Sequence, residues 1–289
     1  MSSGVWLRYA LLTTVMWGVW GAFTVLPSEH GFPDTLTYVV WALTMIAPAL
    51  WAMRRARGPL PHDARSLLLG LTIGLLGAGG QMLLFRAVTL GPTYLIFPIV
   101  SLSPVVTILL SLVVLRERTG RLGVAGIILA VISLPLFDYA PGAAAQHSGT
   151  WFVLALAVML AWGLQAYFIK LANASMSAEG IFTYMMITSL LFIPVALALT
   201  DFSQPINLSI SGPWLAAAIQ LLNAVGALLL VYAFRYGKAI VVSPLVNAAA
   251  PLLTSLISLM IAGSLPGPFK IAGIALALAG ALLLSLQPE

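Results

Sequence analysis

The sequence of 289 residues predicts an all-α integral membrane protein of ten transmembrane helices, built as two inverted five-helix repeats with cytoplasmic termini. Three observations carry this prediction: an apolar composition, ten long apolar segments and an internal repeat. Hydrophobic residues make up 61% of the chain and charged residues only 7%, whereas soluble domains carry about 25% charged residues. A soluble fold could not cover its surface with so few charges, so most of the outside must face lipid.

Ten apolar segments have about the length of the roughly 20-residue helix that crosses a bilayer core. They span residues 6–26, 34–53, 66–86, 93–115, 121–137, 150–170, 180–200, 212–234, 239–262 and 268–286. In lipid the backbone must satisfy its own hydrogen bonds, which leaves helices or a closed barrel. Residues 67–76 lack the in–out alternation of a barrel strand, so helices are predicted.

Lysine and arginine predict the orientation, because these residues concentrate in cytoplasmic loops. With the N-terminus inside, only Arg86 and Lys270 of the 13 basic residues fall outside. The others fall inside: Arg8, Arg54, Arg55, Arg57, Arg65, Arg116, Arg118, Arg121, Lys170, Arg235 and Lys238. Both termini are therefore predicted to be cytoplasmic, and the basic clusters are interpreted as topology determinants and not as a nucleic-acid surface.

The polar residues also limit the chemistry that the chain can perform. There is no cysteine, no H-E-x-x-H and no G-x-S-x-G motif, so neither an enzyme nor a cofactor or metal is expected. The eight acids and three histidines fall in loops or near helix ends, and none is placed at mid-membrane to relay a proton. Facilitated diffusion is therefore weighed equally with proton antiport for any transport role.

The two halves of the sequence match at a nearly constant offset. Trp17-Gly18 and Trp162-Gly163 lie 145 positions apart, and Pro98 and Pro244 lie 146 apart. These matches predict a first repeat at 1–140, a linker at 141–149 and a second repeat at 150–289. Because each repeat holds five helices, the second must enter the membrane from the opposite side, which is the inverted plan of many secondary transporters. Duplication in a channel is the alternative.

A further motif follows the fourth segment: Arg116-Glu117-Arg118, then Gly123, Gly126 and Leu129. Together with the repeated Trp-Gly pair and the ten segments, it resembles the drug/metabolite transporter superfamily, and within it the EamA-type exporters similar to aromatic amino acid exporters. The resemblance implies export of amino acids and related metabolites. The position equivalent to Glu117 is about Ser264, so the second repeat departs from the motif there.

Two segments carry paired prolines at equivalent places: Pro98 and Pro104 in the fourth, Pro244 and Pro251 in the ninth. Proline removes one helical hydrogen bond and clashes with the preceding turn. We expect both helices to bend or open there and to act in gating, because matched interruptions in the two halves indicate the binding site of a repeat transporter. Kinks that serve only packing are the alternative.

Polar and aromatic side chains near mid-membrane are the candidate substrate ligands of a central cavity between the repeats. Amides are costly in lipid and face the bundle interior, where they bind either substrate or other helices; tryptophan offers an apolar wall or a cation–π face, or simply packs. The candidates are Trp17, Trp20, Tyr38, Gln81, Tyr94, Phe97, Ser101, Trp162, Gln165, Tyr184, Asn223, Ser243 and Asn247.

The sequence thus predicts a secondary transporter that exports amino acids, aromatic ones included, and related small metabolites by alternating access. The alternative is an exporter of other small metabolites or cationic drugs driven by proton antiport. The expected partners are the small-molecule substrate and the lipid bilayer, with no nucleic acid, in a monomer or a homodimer. Arginine over lysine and the richness in Ala, Gly and Leu favour a bacterial inner membrane.

Overall fold

The computed structural model describes residues 5–56, 58–114, 120–138, 149–173, 175–236, 239–263 and 265–285. Its regular structure within these ranges is entirely helical. The Arg-Glu-Arg motif at 116–118, Arg57, Lys238, Ser264 and most of the predicted linker lie outside the described residues.

Eight helices form the first half: α1 (Val5–Phe23), α2 (Leu26–Glu29), α3 (Asp34–Thr44), α4 (Ile46–Arg55), α5 (Ala64–Leu90), α6 (Thr93–Val100), α7 (Ser103–Val114) and α8 (Arg121–Asp138). The second half holds α9 (Thr150–Ala172), α10 (Ala178–Leu191), α11 (Ile193–Ala198), a π-helical turn (Ile210–Trp214), α12 (Leu215–Tyr236), α13 (Ala239–Ala262) and α14 (Pro268–Ser285).

Each predicted segment coincides with helix, but several consist of two helices in series. Met45 separates α3 from α4, and Phe192 separates α10 from α11. Pro48 and Pro194 follow these junctions, and each lacks the N–H that would bond the carbonyl four residues earlier. Within the described residues, six helical stretches are long and apolar enough to cross a membrane. The all-helical, membrane-spanning class is confirmed, whereas the total of ten transmembrane helices stays a prediction.

Large apolar side chains on the outside of the bundle face the surroundings instead of a protein core. Leu12, Leu68, Val113 and Met260 are all exposed, although each would cost free energy in water. An exterior of this kind is typical of a surface in contact with acyl chains.

The helices of the two halves interlock and do not form two separate bundles. Helix α1 packs on α12 and α13, while α9 packs on α5, α6 and α7. The last helices of the two halves, α8 and α14, pack on each other. Exchanging the halves reproduces the same set of neighbours, which is the pattern produced by a two-fold relation between repeats.

Two equivalent hydrogen bonds show this relation at the level of atoms. Thr107 Oγ1 donates to the carbonyl of Gly163 at 2.8 Å, and Thr254 Oγ1 donates to that of Gly18 at 3.0 Å. Both glycines allow close helix approach, because a Cβ atom at Gly18 would lie 2.5 Å from Leu253 Cδ2. Small residues are the usual means by which membrane helices come together.

The expected pair of helix breaks is found in only one half. Ser101 and Leu102 separate α6 from α7 beside Pro98 and Pro104, whereas α13 runs through Pro244 and Pro251 without interruption. Prolines six positions apart bend a helix in directions about 120° apart, while prolines seven apart lie on nearly the same face. The prediction of an opening in the ninth segment is therefore wrong, because α13 is continuous, whereas a bend at its prolines stays a prediction.

Candidate functional site

A central cavity lies where helices of the two halves meet. About 920 Å³ within it is not filled by protein atoms, a figure that includes the solvent at its open mouth. It is lined by Trp17, Trp20, Trp41, Met45, Gly74, Gly77, Ala78, Gln81, Ser103, Trp162, Gln165, Ala166, Ile169, Met185, Asn223, Ala227, Leu230, Val231 and Phe234.

One wall of the cavity, formed by α1, α3 and α12, is held together by its own hydrogen bonds. Trp20 Nε1 donates to Gln220 Oε1 at 2.8 Å, and Trp41 Nε1 donates to Asn223 Oδ1 at 2.8 Å. Trp17 Nε1 donates to the backbone carbonyl of Asn223 at 3.2 Å. The three indole rings are thereby fixed, and their N–H groups are already bonded to the protein.

The opposite wall, formed by α5 and α9, has more unbonded polar groups. Gln165 Nε2 donates to the backbone carbonyl of Ile73 at 3.1 Å. Gln81 is only 2% exposed, and its Nε2 atom has no hydrogen-bond partner. No partner is found for Trp162 Nε1 either among the described residues, although the ring lies against Gly80. Glycines at 74, 77 and 80 leave space for the side chains of α9 and α10.

A second, smaller space adjoins the central cavity beside the break between α6 and α7. About 340 Å³ within it is free of protein atoms, open solvent included, and its lining is formed by Trp17, Trp20, Phe97, Val100, Ser101, Trp162, Ala250, Pro251 and Thr254. Trp17, Trp20 and Trp162 line both spaces, so these rings form the partition between them. Phe97 meets Trp20 edge to face with 5.7 Å between ring centroids, a favoured aromatic geometry.

The central cavity carries no formal charge on its described lining residues. The nearest ion pair joins α10 to α12 beyond Phe234: Arg235 Nη1 lies 2.9 Å from both Glu179 Oε1 and Oε2. This is the end at which α9 and α12 finish and α5 and α10 begin. The lining residues Ile169 and Phe234 extend the cavity toward that end.

At the opposite end, the two halves are joined by hydrogen bonds between their connections. Asn207 Nδ2 donates to the carbonyl of His30 at 2.7 Å, and the Asn207 N–H donates to that of Gly31 at 3.0 Å. Gly31 has a φ of 82°, a conformation that glycine adopts without strain. Thr200 Oγ1 adds a bond to Thr35 Oγ1 at 2.7 Å.

The comparison with known families agrees with this arrangement. The model of the EamA-like transporter family matches residues 4–137 and matches again at residues 149–286. The chain belongs to the EamA-like transporter family. This family places it among the small-molecule transporters of the drug/metabolite transporter superfamily, as a multi-pass membrane protein and not an enzyme.

Solved structures share the fold of this EamA-like transporter. One, titled "Crystal structure of protein", has a TM-score of 0.67 and 18% sequence identity, with 99% of this chain and 98% of that chain covered. At that identity the likeness concerns the fold alone. Among curated proteins, no sequence matches this chain.

Most residues proposed from the sequence of the transporter lie at one of the two spaces. Trp17, Trp20, Gln81, Trp162, Gln165 and Asn223 line the central cavity. Phe97, Ser101 and Pro251 line the smaller space. The side chains of Ser243, Pro244 and Asn247 lie outside the described residues.

Three tyrosines and two prolines proposed from the sequence do not line either space. Tyr38 is fully buried and donates to the carbonyl of Ser189 at 3.2 Å, and Tyr184 donates to the carbonyl of Pro61. Tyr94 packs against the apolar core, while Pro98 and Pro104 are buried at the break. Tyr38 and Tyr184 do not line the cavity because the hydroxyl of each reaches a backbone carbonyl of another segment.

Several lining residues were not proposed from the sequence, notably Trp41, Met45, Ser103, Met185 and Phe234. Those on α12 carry a signal, because Ala227, Leu230 and Phe234 follow the proposed Asn223 at the three- and four-residue spacing of one helix face. Trp41 carried no such signal, since only the fold brings its indole N–H to Asn223.

Proposed function

We propose that this EamA-like transporter exports amino acids, aromatic ones included, and related small metabolites. Transport proceeds by alternating access through the central cavity, by facilitated diffusion. The observation that carries the proposal is a central cavity lined by four tryptophans and by amides, with no formal charge on its described lining. Aromatic faces bind apolar and cationic groups, and amides bind carboxylate oxygens and ammonium protons alike.

The absence of a fixed charge on the described lining selects among substrates. A strongly anionic ligand, such as a phosphorylated metabolite, would be desolvated in this cavity without a compensating cation, which is costly. A zwitterion brings its own opposite charges and loses less. The cavity therefore favours substrates with no net charge, and amino acids with apolar side chains are the leading class.

With the orientation predicted from the basic residues, the end of the cavity lined by Ile169 and Phe234 would face the cytoplasm. Arg235 and Arg65 lie at that end of the bundle, and basic residues concentrate on the cytoplasmic side. The chain would then be open to cytoplasmic substrate and closed by the His30–Asn207 contacts on the other side. This is the state expected of an exporter before loading, in a bacterial inner membrane.

Coupling to protons is a separate part of the proposal. None of the described lining residues of the central cavity is an acid or a histidine, so no group there exchanges a proton with the substrate. Facilitated diffusion follows.

A single chain surrounds the cavity, and a monomer is thus sufficient for transport, while a homodimer would place two separate pathways side by side.

The test is counterflow of labelled amino acids into proteoliposomes that hold the purified protein, without an ion gradient. Saturable uptake that unlabelled amino acid competes with, absent from empty liposomes, supports facilitated transport. Uptake that requires an imposed proton gradient would contradict the coupling. No movement of any amino acid under either condition would contradict the substrate class and direct attention to neutral metabolites or cationic drugs.

A further inference from the structure

The two tryptophans at equivalent positions of the repeats use their indole N–H groups differently. Trp17 and Trp162 lie 145 positions apart, and each lies against a glycine of the other half. Trp17 lies against Gly226 on α12, and Trp162 lies against Gly80 on α5. A Cβ atom at Gly226 would lie 2.6 Å from Trp17 Cδ1, and one at Gly80 would lie 2.5 Å from Trp162 Nε1. The environments are thus matched, yet Trp17 donates to Asn223 and Trp162 has no acceptor among the described residues.

The amide of Gln81 is a second donor without a partner in the same wall. Gln81 lies four positions after Gly77 and lines the central cavity, but its Nε2 atom is buried and unbonded. A buried polar group without a partner is rare in native proteins and requires a specific explanation. The terminal torsion of glutamine is broad, so the amide can turn its N–H groups into the cavity when a ligand arrives.

Resting on the proposed function, we propose that Gln81 and Trp162 form the subsite that binds the hydrogen-bond acceptor of the substrate, the carboxylate of an amino acid. The indole nitrogen can only donate, and the unpaired Gln81 atom is also a donor, so the group opposite them must accept. On the α1, α3 and α12 wall the three indole donors are already bonded internally, whereas on the α5 and α9 wall the indole of Trp162 and the amide of Gln81 lie close together without acceptors in the described part of the chain and can supply this contact as a pair.

The smaller space determines where the rest of the substrate lies. Trp162 lines both spaces, so a carboxylate beside its N–H group brings the neighbouring atoms of the ligand to the partition. The apolar side chain of the substrate is then directed toward Phe97 and Val100, which line the smaller space. The acceptor subsite and this apolar space together select amino acids with aromatic or large aliphatic side chains.

The test compares two ligands that differ only in the carboxylate, phenylalanine and phenethylamine. Dissociation constants are measured on the full-length protein in detergent from ligand-induced shifts in melting temperature. The variants are Gln81→Met and Trp162→Phe, which remove a donor and keep apolar bulk. Trp17→Phe is the matched control, because it removes the equivalent N–H group that is already bonded to Asn223.

We expect Gln81→Met and Trp162→Phe each to weaken phenylalanine binding about tenfold, as loss of a hydrogen bond to a charged group does. Binding of phenethylamine should stay within about twofold of the wild-type value, a change too small to report a lost hydrogen bond. The ligand-free Gln81→Met variant should melt at or above the wild-type temperature, since it removes an unpaired buried donor. Trp17→Phe should leave the ratio of the two dissociation constants unchanged.

Equal losses for both ligands, no loss for either, or a lower melting temperature of ligand-free Gln81→Met would overturn the subsite. A change in the ratio caused by Trp17→Phe would also overturn it. Wild-type counterflow of phenylalanine in proteoliposomes separates the two levels. Flux of phenylalanine by the wild type, with an unchanged ratio of the two dissociation constants in the Gln81 and Trp162 variants, would overturn the subsite alone. Absence of flux for every amino acid would overturn the proposed function and the subsite with it.

Discussion

Replacement of Arg235 by methionine tests how much the ion pair between α10 and α12 contributes to stability. Both carboxylate oxygens of Glu179 lie 2.9 Å from Arg235 Nη1. The Glu179 side chain is only 7% exposed, whereas that of Arg235 is 44% exposed. The Arg235→Met variant therefore leaves a buried carboxylate without its cation and with only the hydrogen bond from Tyr232, while nearly half of the side chain that it removes was in contact with solvent.

The size of the effect follows from these exposures. Breaking a fully buried pair costs about 3–5 kcal/mol, and an exposed pair contributes about 0–1 kcal/mol. With one partner buried and the other nearly half exposed, we expect a loss of about 2 kcal/mol, between these limits. At about 2–4 °C per kcal/mol for a chain of this size, the melting temperature should fall by about 4–8 °C.

The assay is thermal unfolding of the purified variants in detergent, read as a double-mutant cycle. Glu179→Gln should cost less than Arg235→Met, because it leaves a cation that solvent can reach, and the double variant should recover most of the loss. Arg86→Met is the matched control: its partner Asp34 lies at 3.6 Å and the Arg86 side chain is 59% exposed, so no measurable change is expected. Equal losses for the two single variants with no recovery in the double variant would refute the reasoning.

Three further predictions concern packing, the cavity and pH. Thr107→Val and Thr254→Val each remove one equivalent hydrogen bond between helices. In the same unfolding assay each should destabilise the protein by a similar amount, about 0.6–1.7 kcal/mol. A large difference between the two losses of stability would contradict the two-fold relation. Gly80→Val and Gly226→Val should abolish counterflow by displacing Trp162 and Trp17, whereas Gly79→Val, whose Cβ position is open, should transport normally. Hydrogen bonds from the side chain and N–H of Ser66 hold the pKa of Asp63 below its usual value. This N-terminal cap of α5 therefore stabilises the fold fully above about pH 3.9, the usual pKa of aspartate. Its contribution is lost as the pH falls through the lowered pKa. Melting temperatures of wild type and Asp63→Asn between about pH 6 and pH 3 should converge at the acidic end, and a constant difference would exclude a role for this titration.

Some of the site could be predicted because the residues that carry it are unusual in lipid. An amide such as Gln81 or Asn223 within a span is costly enough to mark an interior face. Repetition strengthened the prediction for Trp17 and Trp162, which recur at the repeat offset. Tyr38 and Tyr184 also recur, but each hydroxyl bonds a backbone carbonyl of a distant segment. Recurrence therefore identifies equivalent environments and does not distinguish a ligand from a structural contact.

The helix breaks show that the sequence predicts the path of the backbone only in part. Proline predicts the loss of one hydrogen bond, but whether a helix ends there depends on how the neighbouring turns are supported. Beside Pro98 the chain is held by bonds from Ser101 to Phe97 and Pro98, and the helix restarts at Ser103. The ninth segment has its prolines seven positions apart instead of six and remains one helix.

The sequence by itself determined that this chain is helical, spans a membrane and contains an internal repeat. The length of the apolar segments, the positions of the charges and the fixed offset between the repeats can all be observed along the chain without knowledge of its packing. Only the tertiary structure decided which donors are used and which remain open. The indole of Trp41 reaches Asn223 across the bundle, while Gln81 and the indole of Trp162 find no acceptor in the part of the chain described. Hydrogen-bond satisfaction depends on distances of about 3 Å between residues far apart in sequence, and these distances exist only once the helices have packed.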